Sequence, residues 1–132
     1  MSVTHASVVR STEARRTQTP NAVMTTFASP TQGGSGLAMW RVDMGPGLQG
    51  PLHVFDVEQI WTVLDGAASV ELADDTFTVA PGDTVILPAG VARRIATGAD
   101  AGFTAVVTAP GGARVHRVGD PVEEAFVPGW IA

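Results

Sequence analysis

The sequence contains no cysteine and no lysine, and these two absences remove several classes of function. Without cysteine the chain forms no disulfide and offers no thiolate as a nucleophile or metal ligand. Without lysine all eight basic residues are arginine, and only residues 15–16 and 93–94 place two of them side by side. A phosphate-binding surface needs clustered cations. Because the net charge is also −5, we expect no nucleic-acid partner.

Histidine is scarce as well, since the chain has only His5, His53 and His116. Imidazole is the side chain that most readily transfers protons near neutral pH. The carboxylates, arginines and hydroxyls complete the candidate catalytic groups. Acid–base chemistry in this protein therefore depends on very few residues.

Long hydrophobic runs are also missing. No stretch approaches the ~18 to 20 consecutive apolar residues of a membrane-spanning helix, and residues 1–16 lack the apolar core of a signal peptide. We therefore expect a cytoplasmic protein with no membrane partner. With 132 residues, 45% hydrophobic and 16% charged side chains, the chain fits one compact domain and not a disordered segment.

Short runs of strand-forming residues, separated by glycine, proline and aspartate every eight to twelve residues, indicate an all-β fold. Residues 1–20 lack this pattern and end at Pro20, so we interpret them as an N-terminal arm before a single domain at residues 21–132. No helix of useful length is predicted. The predicted strands are residues 22–28, 36–44, 59–64, 67–72, 76–79, 84–87, 91–97, 103–108 and 114–118.

Two segments carry the glycine and proline framework of a known family. Residues 50–59 have the sequence GPLHVFDVEQ and are followed by Gly66, and residues 82–93 have the sequence GDTVILPAGVAR. Together they resemble the two motifs of the cupin superfamily, which contribute three histidines and a carboxylate to a metal site. The resemblance spans residues 50–97. It implies a double-stranded β-helix, or jelly-roll, barrel that is commonly a homodimer and has its site inside the barrel.

The metal ligands of that family are carried over only in part. His53 matches the first histidine, but Phe55 replaces the second, Gln59 replaces the carboxylate and Arg93 replaces the last histidine. Thr97 stands where many members have asparagine. Phenylalanine has no lone pair and arginine is a permanent cation, so we expect no cofactor at this site. The alternative is a divalent Fe, Mn, Ni or Zn ion held by His53, Gln59 and a third, unidentified ligand.

Strand alternation supports placing these residues together. Side chains two positions apart share a face, so one of Arg93 and Arg94 must face the barrel interior. We interpret His53 as the proton-transferring base and Arg93 as the cation that holds negative charge. The structural alternatives are a core histidine with one hydrogen bond and an arginine paired with an internal carboxylate. The residues expected to contact substrate are Gln59, Phe55, Trp40, Trp61, Phe103 and Thr97.

We therefore expect an enzyme of the isomerase, cyclase or lyase type that acts without a metal on a small, flat organic molecule, which can be an anion. Two alternatives remain open, a metal-dependent dioxygenase and a cupin that binds a small molecule without turnover. Asp56 and Glu58 follow His53 and could orient it, whereas His116 is expected on a late, partly exposed strand. The apolar segment at residues 126–131 is expected to cover the barrel or a partner subunit.

Overall fold

The computed structural model describes residues 7–132, so His5 lies outside the described residues. Within that range no helix is long and apolar enough to cross a bilayer. Single 3₁₀ turns occur at Ser11–Glu13 and Val122–Glu124. The strands are β1 Arg15–Gln18, β2 Val23–Ala28, β3 Leu37–Met44, β4 His53–Phe55, β5 Gln59–Gly66, β6 Ala68–Leu72, β7 Asp75–Val79, β8 Thr84–Leu87, β9 Arg93–Ala96, β10 Phe103–Pro110 and β11 Val115–Arg117.

The strands form two antiparallel sheets that face each other. One sheet has the order β1-β2-β3-β10-β5-β8, and the other has the order β11-β4-β9-β6-β7. From β3 to β11 the chain crosses between the sheets after every strand except β6, which pairs with β7 in the same sheet. This arrangement is the jelly-roll barrel that the sequence predicts, and the all-β fold class is confirmed.

The core lies between the sheets because side chains alternate along each strand. On β3, Trp40 and Val42 are buried, while Met39 and Arg41 face solvent. β10 lies at the centre of its sheet, between β3 and β5, and buries every second residue from Phe103 to Ala109. The period of two in the sequence thus builds one apolar interior.

The sequence pattern missed two strands. Arg15–Gln18, inside the predicted arm, form β1 and pair with β2, with Arg15 opposite Thr26. This strand lies at a sheet edge and is polar, so it carries no hydrophobic signal. His53–Phe55 form β4, which is too short to show alternation. The division of the chain at residue 20 stays a prediction, but the sheet begins before it.

Two close approaches fix the turn after β5. Gly66 has a φ of +73°, and a Cβ there would lie 2.0 Å from the carbonyl oxygen of Gly102. A Cβ on Gly102 would in turn lie 2.3 Å from the carbonyl oxygen of Met44. Only glycine fits at these two positions, which explains why the motif keeps Gly66.

The apolar segment near the C-terminus covers the barrel. Ile131 is fully buried, and two side chains of the β2 region bind the backbone of this segment. Thr26 donates to the carbonyl oxygen of Trp130 at 2.7 Å, and Ser29 donates to that of Ala132 at 2.6 Å. Both hydroxyl-bearing residues are fully buried, so these bonds satisfy groups that have no access to water.

Candidate functional site

A cavity of about 260 Å³ lies inside the barrel and is partly open to solvent. Its wall combines strands of both sheets with residues 19–22 and the segment near the C-terminus. The predicted site residues that line it are His53, Phe55, Gln59, Trp40, Trp61 and Arg93. Other residues that line it include Met24, Met44, His116, Arg117 and Trp130.

His53 presents one unprotonated nitrogen to this site. Its Nδ1 lies 2.6 Å from the carbonyl oxygen of Pro51. A carbonyl can only accept a hydrogen bond, so Nδ1 must carry the proton of the neutral ring. Nε2 therefore keeps its lone pair and can accept a proton.

The surroundings keep that imidazole neutral. Burial is the main cause that lowers the pKa of His53, and the positive charges of Arg93 and Arg117 lower it further. The bond to Pro51 acts in the opposite direction. Arg93 and Arg117 lie opposite His53 on the neighbouring strands β9 and β11, which explains their influence. At neutral pH His53 is thus an acceptor.

Arg93 is a buried cation that has no carboxylate partner in the described part of the chain. Its relative exposure is 1%, and its Nε and Nη2 donate to the carbonyl oxygens of Val91 at 2.9 Å and Pro88 at 2.5 Å. Its Cζ lies 5.6 Å from the ring centre of Phe55, within cation–π range. Burial lowers the pKa of Arg93 to about 10, so the group stays charged at neutral pH. Within residues 7–132 its Nη1 has no hydrogen-bond partner.

Gln59 is oriented by Trp61. The indole Nε1 of Trp61 donates to Oε1 of Gln59 at 3.0 Å. Gln59 is 1% exposed, and no described residue accepts a hydrogen bond from its Nε2. The amide oxygen therefore uses one of its two lone pairs, while the NH₂ group is buried and has no acceptor among residues 7–132.

The ionisable side chains that line the cavity are all basic. No aspartate or glutamate of the described chain lines it, whereas two arginines and two histidines do. A buried donor left without an acceptor costs about 1–3 kcal/mol. Gln59 and Arg93 each contribute one such donor, so a bound oxyanion would recover part of this cost.

The residues present do not fit the metal that the resemblance implies for many cupins. Residues 7–132 contain no group of three or more His, Asp, Glu or Cys side chains that could hold an ion. Phe55 offers no lone pair, and the guanidinium of Arg93 repels a divalent cation. The remaining oxygen ligand, Oε1 of Gln59, already accepts the hydrogen bond from Trp61.

The structure places two predicted substrate contacts outside the cavity. Phe103 stacks on Trp61, with ring centres 6.2 Å apart, and supports the wall from behind. The Thr97 hydroxyl donates to the carbonyl oxygen of Gly45 at 2.6 Å and accepts from the backbone N–H of Leu48 at 3.0 Å. Its position at the end of β9 directs it to the loop after β3 and away from the cavity.

Asp56 and Glu58 are exposed and do not line the cavity. Asp56 instead accepts a hydrogen bond from the backbone N–H of Arg114 at 2.8 Å, which links the loop after β4 to the segment before β11. From the sequence, His116 is expected on a partly exposed strand and Arg117 has no expected role, yet both line the cavity because β11 pairs with β4. That long-range pairing has no signal in a single sequence.

The comparisons with known proteins agree with this architecture. The family model described as "Cupin domain" matches residues 40–109, more than half of the chain. The structure of the polyketide cyclase RemF from Streptomyces resistomycificus has a TM-score of 0.74 and 21% identity, and the match covers 89% of each chain. No curated protein matches the sequence.

Two further solved structures share the fold. The DMSP lyase DddQ from Ruegeria pomeroyi DSS-3 has a TM-score of 0.66 and 26% identity, over 74% of this chain and 56% of that one. A sugar phosphate isomerase of the cupin superfamily from Silicibacter pomeroyi DSS-3 has a TM-score of 0.59 and 21% identity, over 71% of this chain and 64% of that one. The family match, the two sheets and the internal cavity lead to one conclusion: the chain belongs to the cupin domain family.

Proposed function

We propose that this cupin transforms a small organic molecule by metal-independent acid–base chemistry of the isomerase, cyclase or lyase type. One observation carries the proposal. One cavity combines a histidine that has a free lone pair with two buried donors that find no acceptor among the described residues. The cyclase, lyase and isomerase named above support a small-molecule function for this fold.

In this mechanism His53 moves the proton. Its Nε2 accepts a proton from a C–H or O–H group of the substrate, and the electron pair of that bond stays on the substrate as an enolate or phenolate. Arg93 holds the developing negative charge, and the NH₂ group of Gln59 orients the oxygen. The imidazolium then returns the proton to a different substrate atom, or to a leaving group, which restores neutral His53.

The dimensions and walls of the cavity select the substrate. A volume of about 260 Å³ is below the ~300–1,000 Å³ typical of sites for drug-sized ligands, so we expect one or two rings. Trp40, Trp61 and Phe55 supply flat apolar surfaces, and the two methionines Met24 and Met44 adapt to shape. These walls exclude water from the proton transfer.

The test is exchange of substrate protons with deuterated solvent, followed by NMR over a panel of small enolisable aromatic keto acids. We expect the parent protein to accelerate exchange for at least one compound and His53→Gln to lose about 10²-fold or more of that rate. His116→Gln is the matched control, since it removes a cavity histidine that the mechanism does not use. Unchanged exchange in His53→Gln contradicts the role of His53. Binding without exchange by the parent supports the non-catalytic alternative.

Metal independence is tested separately. Protein purified without an affinity tag is subjected to elemental analysis, and exchange is measured again after chelation. We expect substoichiometric Fe, Mn, Ni and Zn and an unchanged rate. Stoichiometric metal together with loss of activity on chelation would favour the dioxygenase alternative.

A further inference from the structure

A glutamine side chain can recognise opposite kinds of ligand, depending on which end of its amide is free. Its oxygen accepts hydrogen bonds and binds cations, whereas its NH₂ group donates to anions and carbonyls. In this cavity the choice is made by Trp61. An indole N–H can only donate, so the group that faces it at 3.0 Å must be Oε1 of Gln59. The NH₂ group of Gln59, a hydrogen-bond donor, is therefore the end of the amide that a ligand would meet.

The position of the indole is itself fixed. Trp61 stacks on Phe103 with an angle of 15° between the ring planes. Trp61 and Gln59 also share a face of β5, two residues apart, and β5 pairs with β10 and β8 on its two sides. The indole cannot turn away without breaking this packing, so the amide stays oriented.

Arg93 is held with similar rigidity. Its Nε and Nη2 donate to backbone carbonyls of the segment between β8 and β9. Its Nη1 has no hydrogen-bond partner among the described residues. Gln59 and Arg93 come from different sheets and line the same cavity. Their unpaired groups are both donors, and both side chains are 1% exposed.

We infer that this cavity selects a planar monoanion, such as a carboxylate, over its neutral counterpart, and that Trp61 sets this selectivity by positioning the amide of Gln59. The inference rests on the proposed function in taking this cavity as the ligand site. It adds the chemical class of the ligand. It also makes Trp61 a positioning residue, whereas in the proposed mechanism Trp61 only forms part of the cavity wall. Arg93 stands where the family pattern has its last metal ligand, so in this protein that position binds an anion.

The experiment compares two planar probes of nearly equal shape by calorimetry at pH 7.5, benzoate as the anion and benzamide as the neutral molecule. We expect the parent to bind benzoate at least about tenfold more tightly than benzamide. Trp61→Phe keeps an aromatic wall but removes the N–H group, which frees the Gln59 amide to rotate. The benzoate-to-benzamide affinity ratio should then fall about threefold or more.

Trp40→Phe is the matched control because Trp40 also lines the cavity but is not the residue bonded to Gln59. It should change both affinities together and leave their ratio within about twofold. Gln59→Leu removes the oriented donor, so Trp61→Phe in that background should change the ratio no further. Thermal melts confirm that each variant is folded.

Equal binding of the two probes by the parent, or binding of neither, overturns the anion selectivity. A parent-like ratio in folded Trp61→Phe overturns the positioning role. Neither result depends on proton transfer, which the His53→Gln exchange experiment measures. Failure of the proposed chemistry and failure of this inference therefore give different data.

Discussion

At the scale of single residues, the ring N–H of His53 and the guanidinium of Arg93 donate to backbone carbonyls and not to carboxylates. His53 uses Pro51, and Arg93 uses Val91 and Pro88. A carbonyl satisfies a hydrogen-bond donor without cancelling a charge. The cavity therefore keeps its positive potential, which disfavours a second cation at His53 and favours an anionic ligand.

The lowered pKa of His53 predicts an acid-sensitive contribution to stability. Below the unfolded-state pKa of about 6.5, the unfolded chain takes up a proton that the folded protein does not. The free energy of unfolding should therefore fall as the pH decreases below about 6.5, by at most about 1.4 kcal/mol per pH unit from this group. His53→Gln should lose this contribution. Urea unfolding at pH 7.5, 6.5 and 5.5 measures the difference from the parent.

The control for this prediction is His116→Gln, which should keep the acid sensitivity of the parent. Carboxylates titrate in all three proteins and cancel in the comparison. If His53→Gln and the parent lose stability in parallel between pH 6.5 and 5.5, His53 is not held neutral by its surroundings.

Residue-scale prediction from the sequence succeeded where strand alternation applied. Alternation required one of Arg93 and Arg94 to face inward, and the structure buries Arg93 while Arg94 lies near Glu71 at the surface. Thr97, which follows the last residue of β9, also keeps the buried face that alternation assigns it. Its hydroxyl nevertheless binds the loop after β3, because beyond a strand end the partner of a side chain depends on the neighbouring loop, which the pattern does not encode.

At the scale of elements, Thr97 links the end of β9 to the loop between β3 and β4. We expect Thr97→Val, which preserves shape, to lower the free energy of unfolding by about 1–3 kcal/mol, because the N–H of Leu48 and the carbonyl oxygen of Gly45 lose their partner. Benzoate affinity should change less than about twofold. Chemical denaturation and calorimetry provide the two measurements.

The control for that substitution is Thr78→Val on β7, where the side chain is exposed. It should stay within about 0.5 kcal/mol of the parent. A large loss of benzoate affinity in Thr97→Val without loss of stability would restore Thr97 as a substrate contact.

Most strands were predictable from the sequence because glycine, proline and aspartate mark their ends. Thr84–Leu87 has the bounds that its flanking Pro-Gly turns predict. The pairing of β11 with β4 was not predictable, although it brings Arg117 beside His53. Register between strands 60 residues apart depends on the closure of the whole barrel, so the part of the site that comes from β11 emerged only from the structure.

At the scale of the whole molecule, the outer face of the six-stranded sheet carries a row of exposed apolar side chains. Met39, Ile60 and Ile86 form one row with Thr108 across β3, β10, β5 and β8. Their exposures of 41%, 41% and 57% leave large side chains in water. Such a contiguous face is typical of an interaction surface.

A homodimer stays a prediction, and this face is where we expect the second copy to bind. Three strands of eight residues and one of four present roughly 450 Å² per copy, or about 900 Å² from two copies, which is the size of a weak interface. Light scattering should give twice 13.6 kDa for the parent. Ile86→Lys should shift the protein toward 13.6 kDa at equal concentration, because the interface would bury its charge.

Val122→Lys is the control for the dimer, since Val122 is 67% exposed but lies in the 3₁₀ turn after β11 and away from this face. It should keep the mass of the parent. A parent that is monomeric at 100 times the concentration used for binding would refute the dimer, and a dimeric Ile86→Lys would refute the choice of surface.

The cavity walls also give the protein an optical property. The chain has three tryptophans and no tyrosine, and Trp40, Trp61 and Trp130 all line the cavity. Its ultraviolet emission therefore comes from the interior of the barrel, in which the indoles sense the polarity and charge of whatever enters. Unlabelled protein can report binding directly through the intensity and wavelength of this emission, so a library of candidate substrates can be screened before any reaction product is known.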